Sequence, residues 1–581
     1  MTTMHDLVIH GGFVVDGTGA EGRIVDIAIR DGRVSVIGDL TDELTDCALV
    51  VDATGMVVSP GFIDIHTHYD AQLLWDPTAS PSAVHGVTTV VGGNCGFSIA
   101  PLGDDGAEYI QRMMAVVEGI PRSALVGGGT WEWRSFGEYL DRVDQGLSVN
   151  AGFLVGHSTV RRAVMGEAAS VDVANEDQLE AMADLVAESV AQGALGFSSS
   201  LGEGHLDGDH RPVPSSCASP DEFVALAAAI RNHEGTTLEF IPSIGPIPED
   251  RMNLMAEMSL AADRPLNWNL LGSLASEEIY EQQLTASDIA SERGAHVVAL
   301  ALPDMMRMRA SNILAGLPGW KNVLDLDSQG RRASAADPAT RADLRAGAEK
   351  VANRALGVLA DMSLMEVADP DSEWVGRTLG SIAEDRGTDV VDVLIDVVLA
   401  DRLTLYVVLP SLTPTLGRTD EGWRKRVEVW KDRRVMLGGS DAGAHLDLMC
   451  HANYPTRVLA EVVRERGLLR LEEAIEMMTD RPARHYGLRE RGLIREGWHA
   501  DLVVFDPAAV DSEPASVVCD LPGRGERLIA GSKGIARVFV AGEEVVTDGI
   551  ATDRRPGRVL HSGADTETVT LDSIRRSPLR R

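Results

Sequence analysis

Short apolar runs alternate with longer segments of helical periodicity through most of the chain after Pro60. Apolar runs of this length, bounded by turn residues, indicate buried strands. Alternation of strands and helices over so long a stretch indicates a parallel sheet, most economically a closed (β/α)8 TIM-like barrel with insertions. Nine runs are candidates for the eight strands, so at least one is extra: Phe62–Ile65, Thr88–Val91, Phe153–Val155, Ala194–Phe197, Thr237–Ile241, Leu266–Leu270, His296–Leu300, Thr404–Val408 and Val435–Leu437.

Helices are predicted between these runs. Asp177–Gln192 has the apolar periodicity of an amphipathic helix. A second helix is predicted to begin at Ser219, where the serine caps the first turn, Pro220 takes the first helical position and Glu222 closes a capping box.

Both ends of the chain have β character. Strands are predicted over Asp6–Ile9, Phe13–Val15, Ile24–Ile29, Asp501–Phe505 and Gly534–Val546. Asp31-Gly32 is a hairpin signal, because glycine supplies the positive φ that the turn demands. We expect residues 1–58 and 489–560 to form a composite β-sandwich domain beside a barrel of residues 59–488, with residues 561–581 as a flexible tail.

The formal net charge of −35 excludes the usual partners of basic proteins, because nucleic acid and anionic membrane surfaces would repel this chain. The N-terminus lacks the pattern of a signal peptide, and no apolar window has the length of a membrane helix. Five scattered cysteines form no disulfide framework and suit a reducing cytoplasm. The acidity itself names no substrate, and assembly into a homo-oligomer stays open.

Candidate chemistry lies at the ends of the first and last strand candidates. His66 and His68 follow Phe62–Ile65 at a spacing that places both side chains on one face of an extended chain, where two imidazoles can chelate a divalent cation. Asp441 follows Val435–Leu437 and can ligate the same cation or accept a proton from water. The alternatives are polar residues satisfied at a strand end and an aspartate that caps a turn.

Several motifs together resemble the amidohydrolase superfamily. They are Asp-Leu-Val-Ile-x-Gly-Gly at residues 6–12, Pro-Gly-Phe-Ile-Asp-x-His-x-His at 60–68, Gly-Ser-Asp at 439–441 and Gly-Leu-Ile-Arg-Glu-Gly-Trp-His-Ala-Asp-Leu-Val-Val-Phe at 492–505. The resemblance runs from about residue 6 to residue 550 and implies the same barrel and β-sandwich.

Three further segments resemble the N-acyl-D-amino-acid deacylase (D-aminoacylase) branch: Gly-Asn-Cys-Gly at 93–96, Val-Gly-His at 155–157 and Gly-Ala-Leu-Gly-Phe-Ser-Ser-Ser at 193–200. In that branch a cysteine stands where relatives bridge two metals with a carboxylated lysine. The first lysine of this chain is Lys321, so an early-strand lysine carbamate is excluded and Cys95 is the candidate replacement. A thiolate is a good zinc ligand, whereas the alternative for Cys95 is a buried, inert thiol.

The chain also departs from the family pattern. Members usually carry a histidine at the ends of the fifth and sixth strands, where this chain has Glu239 and Asn269. We therefore expect one divalent ion, Zn²⁺ before other metals, held by His66, His68 and Asp441 with Cys95 or Glu239 added. A metal site that has decayed is the alternative.

Other polar residues are candidates for substrate contacts. His157, His445 and His451 each lie near a predicted strand end, with structural roles as the alternative. Arg161 and Arg162 are candidate partners for a substrate carboxylate, and exposed charges at a helix start are the alternative.

The resemblance implies a metal-dependent hydrolase of a linear carbon–nitrogen amide bond, in an N-acyl (D-)amino acid or a similar small molecule. Metal-activated water would attack the carbonyl, with Asp441 as general base and acid. Two alternatives stay open: a cyclic-amide hydrolase of the hydantoinase or dihydroorotase kind, and a metal-free scaffold or binding relative.

Overall fold

The computed structural model describes residues 5–576 except 104–105, 244, 272–276, 305–306, 310–313, 316, 327, 362, 367–372, 375–376, 401–405 and 409–419. Its centre is a barrel of parallel strands, Phe62–Asp64, Val87–Gly92, Asn150–Phe153 continued by Val155–Gly156, Gly196–Ser200, Thr237–Ile241, Leu266–Trp268, Val297–Ala301 and Val435–Leu437. The backbone N–H of His68 donates to the carbonyl of Ala442 at 2.7 Å, which joins the first strand to the last.

The barrel has eight strands, so one of the nine candidate runs is not a barrel strand. Thr237–Ile241 and Val435–Leu437 have the predicted bounds. The extra candidate is Thr404–Val408, whose residues 404–405 lie outside the described part of the chain. Its remaining residues, Tyr406–Val408, pair antiparallel with Arg307–Arg309 and Ser363–Glu366 in a small separate sheet. That sheet belongs to the insertion between the seventh and eighth strands.

Helices connect the barrel strands and cover its outside. The predicted helix at Asp177–Gln192 spans Glu176–Ala191 and is capped by Asn175. The α-helices in the described ranges are Ser80–Ala83, Gly106–Val117, Arg122–Gly127, Phe136–Val143, His157–Met165, Glu176–Ala191, Pro220–Ala229, Glu249–Ala262, Glu277–Glu292, Trp320–Leu324, Ser328–Ala336, Pro338–Asp361, Leu379–Arg386, Val390–Ala400, Asp420–Lys431, Tyr454–Arg457, Leu471–Met478, Asp480–Tyr486 and Leu571–Arg576. Among the described residues, no helix has both the length and the apolar character to span a membrane.

The second domain, the β-sandwich, draws strands from both ends of the chain. Its main sheet contains His5–Val14, Arg23–Arg30, Arg33–Gly38, Cys47–Asp52, Val57–Pro60, Leu502–Phe505, Ile535–Val540, Glu543–Thr547 and Ile550–Ala551. The two halves meet where Val57–Pro60 pairs antiparallel with Leu502–Phe505. The predicted hairpin forms at Asp31 and Gly32, whose φ angles are 50° and 73°. Only Gly61 separates Pro60 from Phe62, the first paired residue of the barrel, so this sheet anchors the strand that leads to the histidines.

Residues 561–576, which we expected to belong to a flexible tail, are packed against the barrel. Thr566 is fully buried, and its hydroxyl donates to the carbonyl of Gly235 at 2.7 Å. The backbone N–H of Glu567 donates to Gly487 O at 2.7 Å, and Leu571 is buried. Composition suggested a tail because it does not reveal such backbone contacts. Residues 577–581 lie outside the described range.

Candidate metal centre

His66 and His68 follow the first barrel strand and lie at its carboxyl end, with 3% and 1% of their surfaces exposed. Their Nε2 atoms both face the thiol of Cys95, at 3.4 Å and 3.7 Å from Sγ. One ligand atom from each of the three residues falls within 4.8 Å of the others. Three residues from two neighbouring strands therefore converge on one point.

Asp441, at the end of the last strand, completes this group. Its Oδ1 lies 3.1 Å from Nε2 of His66 and 3.6 Å from Nε2 of His68. Burial alone would raise the pKa of Asp441, but the hydrogen bonds to the two histidines outweigh it and hold the pKa well below its usual range. The side chain keeps 27% of its surface exposed, so it is accessible to solvent.

The turn at residues 93–96 explains how Cys95 reaches the centre. Gly93 has a φ of 73° and lies so close to Leu154 that an added Cβ would be 2.0 Å from its carbonyl oxygen. Cys95 itself has a φ of 59°, a conformation that a non-glycine residue adopts only when its surroundings hold it there. Ser198 accepts a hydrogen bond from Gly96 N at 3.1 Å and donates to the carbonyl of Gly93. The backbone of this turn thus places the thiol beside the two histidines.

Glu239 and Asn269 lie behind the histidines. Glu239 is fully buried, and its Oε2 accepts a hydrogen bond from the backbone N–H of Cys95 at 2.8 Å. Its Oε1 accepts one from the Asn269 amide and lies 3.9 Å from Nδ1 of His66. Burial raises the pKa of Glu239 to about 8. This carboxylate therefore faces the rear nitrogen of His66, not the nitrogen that points at Cys95.

Three carboxylates of the centre were missed from the sequence. Glu118 Oε1 lies 3.5 Å from Nδ1 of His68. Burial alone would lower the pKa of His68. The charge of Glu118 and the hydrogen bond to Asp441 outweigh burial and raise this pKa to about 9. Asp64 accepts hydrogen bonds from the hydroxyl of Ser440 and from His66 N, and Asp70 accepts one from Gly93 N at 3.0 Å. Asp64 stands inside the Pro-Gly-Phe-Ile-Asp motif and was recognisable, whereas Glu118 follows an ordinary amphipathic helix and gives no signal.

His157 belongs to a buried network with Arg161 and Glu222. Its Nδ1 lies 2.7 Å from Ser199 Oγ and its Nε2 lies 2.8 Å from Glu222 Oε1. Arg161 is 0% exposed and donates to both oxygens of Glu222 at 2.7 Å and 2.6 Å. Arg161 is thus neither an exposed charge nor a free partner for a substrate. Ser219 caps the helix, but the Glu222 carboxylate binds Arg161 and His157 and does not complete the predicted capping box.

The two remaining candidate histidines lie on the loop after Asp441. His445 has a φ of 48°, and its backbone N–H donates to the carbonyl of Glu118. His451 is buried, and its Nε2 accepts a hydrogen bond from Arg307 N at 3.0 Å. Burial lowers the pKa of His451 to about 4, so this ring is neutral. Contacts of His157, His445 and His451 with substrate stay predictions.

The donor set fits a divalent ion. Two imidazole nitrogens, a thiol sulfur and a carboxylate oxygen face one another, and this mixture of nitrogen, sulfur and oxygen is typical of zinc. Since the four residues come from the first, second and last barrel strands, closure of the barrel assembles the set.

Comparison with known proteins agrees with this geometry. The profile described as "Amidohydrolase family" matches residues 49–375 and 423–546, which is most of the chain. The chain belongs to the amidohydrolase family. The D-aminoacylase of Alcaligenes xylosoxydans xylosoxydans is 29% identical over 563 residues, 96% of this amidohydrolase and 97% of the relative.

Two solved structures are similar over nearly the whole length. One is a structure of D-aminoacylase concerned with its binuclear metal centre, one-metal activation and second-metal attenuation; it is 27% identical with a TM-score of 0.63, and the match covers 96% of this chain and 100% of that one. The other is N-acyl-D-glutamate deacylase from Bordetella bronchiseptica with zinc and a phosphonate inhibitor, 25% identical with a TM-score of 0.61 and the same coverage. This amidohydrolase is therefore an enzyme of the deacylase-like branch, whose members act on carbon–nitrogen bonds other than peptide bonds.

Proposed function

We propose that this amidohydrolase cleaves the linear amide bond of N-acyl-D-amino acids. The observation that carries the proposal is the convergence of His66, His68, Cys95 and Asp441 at the carboxyl ends of the barrel strands, where barrel enzymes place their active sites. Its full-length relatives support the substrate class, because they are named D-aminoacylase, N-acyl-D-aspartate deacylase and N-acyl-D-glutamate deacylase.

His66, His68, Cys95 and Asp441 would hold one divalent ion, for which zinc is the proposed identity. When bound, such an ion polarises the scissile carbonyl and lowers the pKa of a water molecule. Support for a single ion comes from the fifth and sixth strands, which contribute Glu239 and Asn269 and no histidine; both oxygens of Glu239 are already hydrogen-bonded within the protein.

Asp441 is the proposed general base and acid. Its low pKa keeps it ionised at neutral pH, so it can accept a proton from the attacking water and return that proton to the leaving amine. His66 and His68 both contact Oδ1 of the carboxylate, and the side chain keeps part of its surface exposed, so a water molecule can reach it.

The first experiment combines metal analysis with a substrate panel. We expect the purified enzyme to contain about one equivalent of zinc, and a His66→Ala, His68→Ala double variant to contain none. N-acetyl-D-amino acids should be hydrolysed, while their L-enantiomers and hydantoins serve as comparison substrates. Hydrolysis of hydantoins alone would favour the cyclic-amide hydrolase, and metal absent from both proteins would favour the scaffold.

A second experiment tests the base. Asp441→Asn should retain the fold and lose at least about a hundredfold in kcat, the usual scale for loss of a general base. The zinc content of the variant is measured alongside, so that loss of the ion is not mistaken for loss of the base. Unchanged turnover would remove Asp441 from the mechanism.

A further inference from the structure

Glu239 and Asn269 form a hydrogen-bonded pair directly behind two of the metal-site residues. Both side chains are buried, with 0% and 4% of their surfaces exposed. The carboxylate of Glu239 accepts from the backbone N–H of Cys95 at 2.8 Å and from the amide of Asn269. The same amide group lies 2.6 Å from Nδ1 of His66. One short chain of contacts therefore links the Cys95 turn to the ring of His66.

The orientation of His66 shows which of its nitrogens is available to a metal. Nε2 faces Cys95 Sγ and Asp441 Oδ1, so Nε2 is the ligand atom and Nδ1 carries the proton in the neutral ring. A protonated Nδ1 needs an acceptor, and metal-binding histidines usually find one in a side chain behind the ring. Oδ1 of Asn269 has no hydrogen-bond partner among the described residues. A half turn of the amide presents Oδ1 to Nδ1–H of His66 and also to Oε1 of Glu239, so in that arrangement Oε1 carries a proton and donates to Oδ1.

The Cys95 turn needs support of a different kind. Its φ of 59° costs free energy for a residue with a Cβ, so neighbouring contacts must hold it. Ser198 supports Gly93 and Gly96 on either side, and the carboxylate of Glu239 binds the N–H of Cys95 itself. Loss of this acceptor would leave a buried N–H without a partner and free the turn that positions the thiol.

We propose that Glu239 and Asn269 are positioning residues, not metal ligands: together they fix the Cys95 turn and the ring of His66. The inference rests on the metal site in the proposed function. It assigns these two positions a role in holding the ligands of one ion, and it excludes Glu239 from the ligand set.

The decisive comparison is Glu239→Gln against Glu239→Ala. In the glutamine variant Oε1 can accept from Cys95 N–H while Nε2 donates to Asn269 Oδ1, which in turn accepts from Nδ1–H of His66. We therefore expect Glu239→Gln to bind zinc within a factor of about three of the wild type, whereas Glu239→Ala should bind about 10- to 100-fold more weakly, the range found when a residue that supports a ligand is removed.

Two readouts other than activity measure the effect. Zinc affinity is measured by competition with a chromophoric chelator, and the position of Cys95 is followed in the cobalt-substituted proteins by the sulfur-to-cobalt charge-transfer absorption. This absorption should persist in Glu239→Gln and weaken in Glu239→Ala. A ligand role for Glu239 predicts that glutamine and alanine weaken binding equally; that result, or an unchanged Glu239→Ala, overturns the proposal.

Asn269→Leu gives an independent test should Glu239→Ala fail to fold. Its matched control is Asn267→Leu, because Asn267 lies two residues earlier, is also buried, and accepts a hydrogen bond from the hydroxyl of Tyr486, whereas Asn269 contacts His66 and Glu239. Asn269→Leu should weaken zinc binding about 10- to 100-fold, and Asn267→Leu should not. Equal effects of the two substitutions would refute a specific role for Asn269.

The outcome is separable from that of the proposed function. If the enzyme binds zinc and responds to these variants as expected but cleaves none of the N-acyl amino acids, the positioning role is supported and the deacylase proposal is wrong. If the wild-type protein is an active deacylase but the Glu239→Gln variant loses its zinc, the proposed function is supported and the positioning role is wrong. A wild-type protein without affinity for zinc or cobalt overturns the inference.

Discussion

The buried carboxylate of Glu222 leads to the most quantitative prediction. Glu222→Gln keeps the size of the side chain but removes the charge that faces Arg161 and His157, all of them 0–1% exposed. Breaking a buried ion pair on one side costs about 3–5 kcal/mol. Arg161 retains the carbonyl oxygens of Ala169 and Asp172 as acceptors, so we expect the lower end, about 3 kcal/mol.

The assay is native-state hydrogen exchange with mass spectrometry over the helix His157–Met165, which carries both partners of the carboxylate. Where exchange is limited by a pre-equilibrium opening, about 3 kcal/mol corresponds to exchange about a hundredfold faster. Ser219→Ala is the matched control, because it removes only the helix cap and should cost about 1 kcal/mol.

The reasoning is refuted if Glu222→Gln accelerates exchange in this helix no more than Ser219→Ala does. In that case the charge of Arg161 would be satisfied by the carbonyl groups alone. Acceleration confined to the helix that begins at Pro220 would equally show that Glu222 acts through its own helix and not through the ion pair.

Three further predictions concern the metal site and the pH dependence of stability. Cys95→Ser should weaken zinc binding by more than the ~10–100-fold typical of a supporting residue, as measured by chelator competition. Gly93→Ala should abolish zinc binding, because its Cβ would meet Leu154 O at 2.0 Å, whereas Gly166→Ala, also at positive φ but with nothing within 4 Å, should retain it. His85 is buried against Thr456 and Ala530, and burial lowers its pKa to about 4 from 6.5. The unfolded chain then binds the extra proton first as the pH falls, so stability should drop between pH 6.5 and 4 by up to about 3 kcal/mol. As the pH falls across that range, the urea unfolding midpoint should decrease less in His85→Gln than in the wild type. An equal decrease in the two proteins would contradict this account.

Sequence reasoning located the barrel because a predicted apolar run overlaps each of its strands, although Gly196–Ser200 itself is mostly serine. The pattern failed at Tyr406–Val408, which has the composition of a barrel strand but pairs antiparallel in the insertion. Local composition reports that a segment is extended and buried; it does not report which sheet the segment joins.

The candidate metal residues were predicted because their spacing and their place at strand ends are local features. The roles of Glu222 and Glu118 were not, since both depend on partners distant in sequence. Glu222 satisfies the pattern of a capping box, yet the chance to neutralise a buried arginine outweighs a cap worth about 1 kcal/mol. Glu239 is a further example of a role that depends on distant partners. As a carboxylate it was a candidate metal ligand, and the proposed positioning role follows only from its contacts with Cys95 and Asn269.

The strand pairing between Val57–Pro60 and Leu502–Phe505 bears on how the protein is made. During translation the earlier strand leaves the ribosome hundreds of residues before its partner, so one side of it stays unpaired while the whole barrel is synthesised. Chains terminated in between would present that open edge beside the newly formed histidine strand, and exposed edges recruit other chains. Completion of the polypeptide therefore closes the edge that would otherwise promote aggregation.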